Sequence, residues 1–399
     1  MRRRITAGAV AAGTAALLVL TAAPAGAAAA ARVVPSDRTV ELQAALDAVH
    51  AAGVPGLFAE VRDGTRTWRG VSGVANVTTG TPMRPGFEQR IGSLTKTFVA
   101  TVVLQLVAEG RVRLDGPIGR YLGDLLPPEL ASQVTVRMLL QHTSGIGDYP
   151  LALFQSPQDV VRYQTETVNP KRLVALGLAL PRTNPPGAQF AYSNTNYILA
   201  GLIIERVTGR PAASEITRRI LRPLRLTHTY SPGTNPRFRG PHANGYVVWP
   251  IDGTLRDFTE YNMSWAWMAG ELTSTTHDLN NFYAALLSGR VLPANLLAEM
   301  RTVVPRFPAD PDPEAAAIGL GIARARTPCG QSWGHGGGGF GFGTSTLRLA
   351  DGSREVTVAW NLTLYDPTGP IDPAVSRFLI VALCGSQTTA TAWLPIQSS

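Results

Sequence analysis

Apolar positions near the start of the chain change period within a short distance. Leu42, Ala45, Leu46 and Val49 recur at helical spacing across 40–52 and stop at Gly53, which predicts an amphipathic helix. Two strand-like runs follow, 56–62 and 66–75, joined across Asp63-Gly64, a dipeptide suited to the positive φ angles of a tight hairpin. A second hairpin is predicted near the other end: 344–350, the turn Asp351-Gly352, then 355–361. Residues 332–337 can supply a strand before it, and 373–383 read as a closing helix. Five antiparallel strands drawn from both ends would bring the two halves onto one sheet, flanked by an N-terminal and a C-terminal helix.

The stretch between these ends, about 111–270, is helical and loop-rich, with turn clusters at Pro127-Pro128, Asn184-Pro185-Pro186-Gly187 and Ser231-Pro232-Gly233. It reads as a mostly helical insert in a sheet part formed by about 32–110 and 271–385. The expected class is α/β (α+β), as a single catalytic domain over 32–385. No internal repeat and no true linker interrupts it. Residues 307–314, rich in acidic residues and proline, are expected as an exposed loop, and 386–399 as a polar, poorly ordered tail.

Residues 1–31 depart from this pattern: Arg2, Arg3 and Arg4, an apolar stretch from Ile5 to Leu20, then a small-residue tract from Ala22 to Ala31. These are the parts of an export signal. The expectation is a secreted mature protein beginning near Arg32, with no membrane span after cleavage. The rest is an ordinary globular composition, 45% hydrophobic and 16% charged over 399 residues, which excludes disorder and a disulfide-dense mini-fold. The formal charge of +8 falls to +5 without the three signal arginines, and it reads as scattered. Runs of basic residues interleaved with aromatics are absent, so nucleic acid is not an expected partner. Only Lys96 and Lys171 are lysines, leaving two candidates for any step that needs an amine. Cys329 and Cys384, the only cysteines, are expected to form one disulfide after export.

Three segments could carry chemistry. Ser93 and Lys96, within Arg90-Ile91-Gly92-Ser93-Leu94-Thr95-Lys96, open the most apolar helix of the chain and lie one turn apart on one face. A serine there feels the positive end of the helix dipole, and a buried lysine beside it is pushed toward the neutral form that accepts a proton. The residues alone leave open that Ser93 caps the helix while Lys96 reaches the surface. Tyr192 and Asn194, in Phe190-Ala191-Tyr192-Ser193-Asn194, could relay a proton and bind a substrate amide, or could be a core tyrosine and a helix cap. His335 precedes four glycines, Gly336 to Gly339, which let a backbone approach a ligand and aim N–H groups at an oxyanion, unless they form a flexible loop.

Other chemistries lack their parts. An α/β-hydrolase needs a G-x-S-x-G elbow after its glycine loop, and none occurs. The six histidines, at 50, 142, 228, 242, 277 and 335, include no pair four apart, and no H-E-x-x-H or phosphate-loop lysine exists, so neither a metal nor another cofactor is expected.

Taken together, S-x-x-K at a buried helix start, Y-x-N in the insert and His-Gly-Gly late in the chain resemble the penicillin-recognising serine hydrolases. More narrowly, the chain resembles the secreted D-alanyl-D-alanine carboxypeptidases grouped with the class C β-lactamases. The likeness runs through Leu139-Leu140-Gln141-His142-Thr143-Ser144-Gly145 and Ala269-Gly270-Glu271-Leu272-Thr273-Ser274-Thr275, where His142 reads as structural with no candidate partner nearby. The resemblance implies Ser93 as the acylated nucleophile, Lys96 as its base and Tyr192 as the proton shuttle. It implies Asn194, His335, Gly336 and Gly337 as substrate contacts, with Trp265 or Trp267 walling the pocket. The oxyanion hole would be the N–H groups of Ser93 and Gly338, and the Cys329–Cys384 pair would match the disulfide of that branch.

Two departures bear on the substrate. The resembled peptidases carry a hydroxyl residue directly after the His and another two further on, where this chain has Gly336 and Gly338. They also place an arginine for the substrate carboxylate just after a G-L-G-hydrophobic segment; here Gly319-Leu320-Gly321-Ile322 precedes Ala323, with Arg324 and Arg326 next. Because strand side chains alternate, this offset is expected to turn both arginines away. The first expectation is a monomeric serine D-alanyl-D-alanine carboxypeptidase acting on a peptide or β-lactam. The alternatives are a β-lactamase-like, esterase or amidase activity of the same fold, or a non-catalytic penicillin-binding module.

Overall fold

The structure is a computed structural model that describes residues 37–307 and 315–385. The export signal (1–31), most of the 307–314 loop and the polar tail (386–399) fall outside the described residues. Helix α1 (Asp37–Ala51) buries Leu42, Leu46 and Val49, the positions its apolar spacing selects. It lies against β1 (Gly56–Asp63) and β2 (Arg66–Asn76), with Gly64 at φ +56 in the turn between them.

The sheet has nine strands where five were expected. Beyond β1 and β2 it contains β3 (Thr81–Pro82), β4 (Val304–Pro305), β5 (Ala316–Ile318), β6 (Ala323–Thr327), β7 (Gly330–Gly339), β8 (Phe342–Leu349) and β9 (Arg354–Trp360). Their order is β3-β2-β1-β9-β8-β7-β6-β5-β4. The five expected strands are its centre, and β1 pairs with β9 to join the two ends of the chain, Leu57 opposite Trp360. The added edge strands are short, or, like β6, present alanine rather than branched residues to the core, a weak strand signal.

Each face of the sheet has its own core. On one, Leu57, Ala59, Val61, Val356 and Val358 pack against α1 and the closing helix α4 (Ile371–Cys384). On the other lies α2 (Thr95–Ala108), with Thr95 through Leu104 and Leu106 buried, as expected for a helix apolar on all sides. It is enclosed by the segment between 110 and 270, whose longest helix is α3 (Asn194–Thr208). That segment is mostly short helices and loops but also carries two strands, Tyr246–Val248 and Leu255–Asp257, which form a small sheet with Leu362–Thr363. A Cys329–Cys384 disulfide, Cα atoms 5.4 Å apart, ties the β6–β7 turn to the end of α4. No helix of the described residues is long and apolar enough to cross a membrane.

Candidate active site

Gly92 opens the site. It adopts φ +52 at the start of a tight turn, Gly92–Leu94, that leads into α2. A Cβ on Gly92 would stand 2.4 Å from the carbonyl oxygen of Gly338, and one on Gly337 would stand 2.7 Å from the amide nitrogen of Ser93. Glycine on both sides thus lets the nucleophile turn and β7 approach backbone to backbone, which brings the peptide groups of Ser93 and Gly338 to one place.

Ser93 does not cap the helix and Lys96 does not reach water. Ser93 Oγ lies 2.7 Å from Tyr192 Oη and 2.9 Å from Lys96 Nζ. Lys96 is 0% exposed, and its Nζ also bonds Asn194 Oδ1 at 2.8 Å and the carbonyl of Ala269 at 2.7 Å. Burial lowers the Lys96 pKa to about 7, against the opposing pull of Asp148. A neutral amine keeps two N–H groups and one lone pair. With Asn194 Oδ1 and Ala269 O taking the two hydrogens, the lone pair is left facing Ser93 Oγ. Such an arrangement has the geometry by which an amine can take a proton from a hydroxyl.

Asn194 is placed differently from a free substrate contact. Its Oδ1 is held by Lys96, and its Nδ2 donates to Asp148 Oδ2 at 3.2 Å. Asp148 Oδ1 accepts the Asn194 N–H at 2.7 Å, so this carboxylate also closes the N-terminal end of α3. Burial raises the Asp148 pKa, opposed by the hydrogen bonds from Asn194 and by the charge of Lys96.

A cleft of about 620 Å³ opens from Ser93, Tyr192, Asn194 and Gly338. Its walls are largely apolar, with Leu151, Phe154, Met263, Trp265 and Phe340, and Asp148 is the one charged side chain among its lining residues. Trp265 and Phe340 have centroids 5.3 Å apart, and each meets Phe154 edge-on. Trp267 is not part of this wall: after a backbone turn at φ +38 it packs over Gly201 of α3. His335, Gly336 and Gly337 also lie outside the lining, whose β7 edge is Gly338 and Gly339. The His335 ring is buried and donates from Nδ1 to the Gly336 carbonyl. Burial, then the charge of Lys96, lowers its pKa to about 3, so it stands there as a neutral imidazole.

The sequence model of the Beta-lactamase family matches residues 41–375. The chain belongs to the beta-lactamase family. It is similar to a D-stereospecific amidohydrolase from Streptomyces sp., 36% identical, TM-score 0.78, covering 87% of this chain and 99% of that one. It is similar also to a D-amino acid amidase from Ochrobactrum anthropi SV3, 30% identical, TM-score 0.74, covering 87% and 95%. Esterase EstB of Burkholderia gladioli is 33% identical over 197 residues, 46% of this chain. The match spans about half of that curated relative, 49% of its length.

This beta-lactamase-family site includes groups that sequence reasoning missed. Asp148 follows the H-T-S-G stretch by three residues and Phe340 follows the glycine run directly, but neither forms a motif by itself. Ala269 contributes only its carbonyl. His142 has partners after all, Ser193 and Tyr192 among them. Arg324 stands opposite Trp333 across the strands, and Trp333 belongs to the core around α2, so Arg324 and Arg326 are on the α2 face and not turned from it as expected; neither is among the cleft lining.

Proposed function

We propose that the chain is a serine amidohydrolase whose substrates are amides and esters of compact, largely apolar acyl groups without a carboxylate beside the scissile bond. The observation that carries this is the cleft itself: aromatic walls, one carboxylate at Asp148, and neither arginine nor lysine among its lining residues. An anionic leaving group would find no counter-charge there, whereas an ammonium group on the acyl side would find Asp148. The D-stereospecific amidohydrolase and D-amino acid amidase among the similar structures support the same reading.

In this reading Ser93 Oγ attacks the carbonyl carbon and passes its proton to neutral Lys96. The carbonyl electron pair moves onto oxygen, stabilised by the N–H groups of Ser93 and Gly338. Collapse breaks the C–N or C–O bond; Tyr192 protonates the leaving atom and regains a proton from Lys96. Water then attacks the acyl-Ser93 ester by the reverse route, releasing the acid.

The carboxypeptidase reading keeps one supporting observation. Arg306, just after β4, exerts its charge on Tyr192 and His335 from outside the cleft, and a substrate carboxylate passing Tyr192 would meet it.

Turnover of D- and L-phenylalanine amide, nitrophenyl butyrate and an N-acylated D-alanyl-D-alanine peptide, with Ser93→Ala as control, separates the readings. Amide or ester turnover should exceed D-alanine release by about tenfold or more. Dominant D-alanine release, with a persistent Ser93-dependent penicillin adduct by intact mass, would instead establish the carboxypeptidase. Activity unchanged in Ser93→Ala would defeat both.

A further inference from the structure

The expectation that positive charge is scattered fails in one segment. Between 210 and 239 the chain has seven arginines, at 210, 218, 219, 222, 225, 237 and 239, and a single carboxylate, Glu215. Glu215 is already shared: Arg218 Nη2 bonds it at 2.8 Å and Arg219 Nε at 2.6 Å. Arg237 pairs with Glu260 at 3.5 Å. Arg210, Arg222, Arg225 and Arg239 form no ion pair with any described carboxylate.

These four converge. With Arg218 they line a cleft of about 730 Å³ that shares no lining residue with the active-site cleft. The hydroxyls of Ser214 and Thr227 line it too. Arg239 is held with its guanidinium carbon 4.1 Å over the Tyr230 ring. Arg225 ends its helix in the left-handed conformation, φ +55, a C-terminal position that glycine usually fills. Just before it, residues 217–221 form a π-helical turn, a local widening found frequently at functional sites.

Three lining residues bond buried carboxylates behind the cleft, Tyr230 to Glu88, Thr229 to Asp278 and Ser231 to Glu271, so the positive potential is concentrated at the guanidiniums around the mouth, which repel one another. Planar guanidinium forks and hydroxyls supply donors from several directions. One carboxylate satisfies one fork, whereas a tetrahedral oxyanion of charge near −2 offers lone pairs to several at once. We propose that this cleft is a binding site for a phosphate group, separate from the hydrolytic site. Arg222 and Arg225 are its principal ligands, and Arg210 and Arg239 complete the field.

Calorimetric titration of the full chain with sodium pyrophosphate, at constant total ionic strength, tests the site. Wild type is compared with Arg222→Gln/Arg225→Gln, whose Ser93-dependent hydrolysis and thermal melt report that it is folded. One saturable site is expected, weakened about tenfold or more in the double variant, since each lost charged hydrogen bond is worth over 1.4 kcal/mol. Inorganic phosphate and long-chain polyphosphate identify the source. Equal affinity per phosphate points to a free anion, and tighter binding of the chain to a polymer. No saturable heat, or an affinity the double variant leaves unchanged, overturns the proposal. Adsorption to phosphatidylglycerol vesicles without pyrophosphate binding does the same, because it would show diffuse surface attraction only.

Discussion

The imidazole of His142 lies flat against the phenol ring of Tyr192, centroids 4.3 Å apart and planes 26° from parallel. The same residue grips both neighbours of the tyrosine. Its carbonyl accepts the Ala191 N–H at 2.8 Å, and its Nδ1 accepts the Ser193 N–H at 3.2 Å. To do this His142 adopts φ +59, a left-handed conformation uncommon outside glycine but one that histidine enters more readily than most side chains. Three contacts on three consecutive residues fix where the Tyr192 hydroxyl meets Ser93. Burial holds the His142 pKa well below the usual value, so Nδ1 stays free to accept.

His142→Phe keeps a ring against Tyr192 but orphans the Ser193 N–H, an expected loss of about 1–3 kcal/mol in stability. His142→Asn tolerates the left-handed backbone and can supply an acceptor, but loses the stack. Both variants should lower kcat while leaving KM nearly unchanged, because the residue positions Tyr192 without touching the cleft; steady-state kinetics beside thermal melts check this. A raised KM with kcat preserved would move His142 into substrate binding.

The pH profile follows from Lys96. Its pKa is lowered to about 7 by burial, and only the neutral amine can accept the Ser93 proton. The acylation rate should therefore rise through about pH 7 as the ammonium form disappears. The Asp148 carboxylate pulls the Lys96 pKa upward. Asp148→Asn removes that charge and should shift the acid limb to lower pH, measured as kcat/KM against pH. A limb that shifts upward, or a profile flat across neutrality, contradicts Lys96 as base.

What could be read from sequence tracks how local each relationship is. Ser93 and Lys96 meet because both belong to one helix start, and Tyr192 and Asn194 stand two residues apart. Asp148 reaches Asn194 across 46 positions and His142 reaches Ser193 across 51, separations at which no residue pattern announces contact. Strand β7 runs through Gly336 to Gly339 although glycine disfavours strands. Close backbone approach to Gly92 and Ser93 overrides that propensity. Trp265 and Trp267 are equivalent on paper; the backbone turn between them sends one ring to the cleft and the other to Gly201. The paired arginines after β5 looked like the carboxylate question, while the arginine cleft was invisible because it joins Arg210 to Arg239.

Stability should depend on Glu60, 0% exposed on β1. It bonds Arg69 at 2.8 Å and Arg62 at 2.7 Å, and Arg62 continues to Glu355 at 2.9 Å. Burial pushes the Glu60 carboxyl up, but Arg69 and Arg62 more than reverse this and leave its pKa below the usual value. Glu60→Gln leaves two guanidiniums facing a neutral amide and should cost about 3 kcal/mol, at the lower end for a broken buried pair because Arg69 is half in water. A lowered folded pKa means the contribution is present above the unfolded value and lost as pH falls through the folded one. The gap between wild type and variant in urea unfolding should thus be full at pH 7 and shrink below about pH 4. A gap that does not depend on pH would assign the loss to packing.

Phe340 is where the cleft's preference for apolar acyl groups should be set. It follows the glycine run of β7 and meets four aromatic neighbours, Phe154, Trp265, Tyr261 and Phe258, at 5.3, 5.3, 5.9 and 6.0 Å. The glycines carry no side chain that could line the cleft, so the first ring after them supplies its wall at the Gly338–Gly339 edge. Phe340→Ala removes aromatic surface worth about 1–3 kcal/mol to an aromatic acyl group, or roughly fivefold to a hundredfold and more in kcat/KM. The loss should appear in KM for phenylalanine amide and be small for an acetyl ester, which does not reach the ring. Equal losses for both substrates would mean that Phe340 supports the Ser93–Gly338 junction instead, and the proposed acyl pocket would have to be placed elsewhere in the cleft.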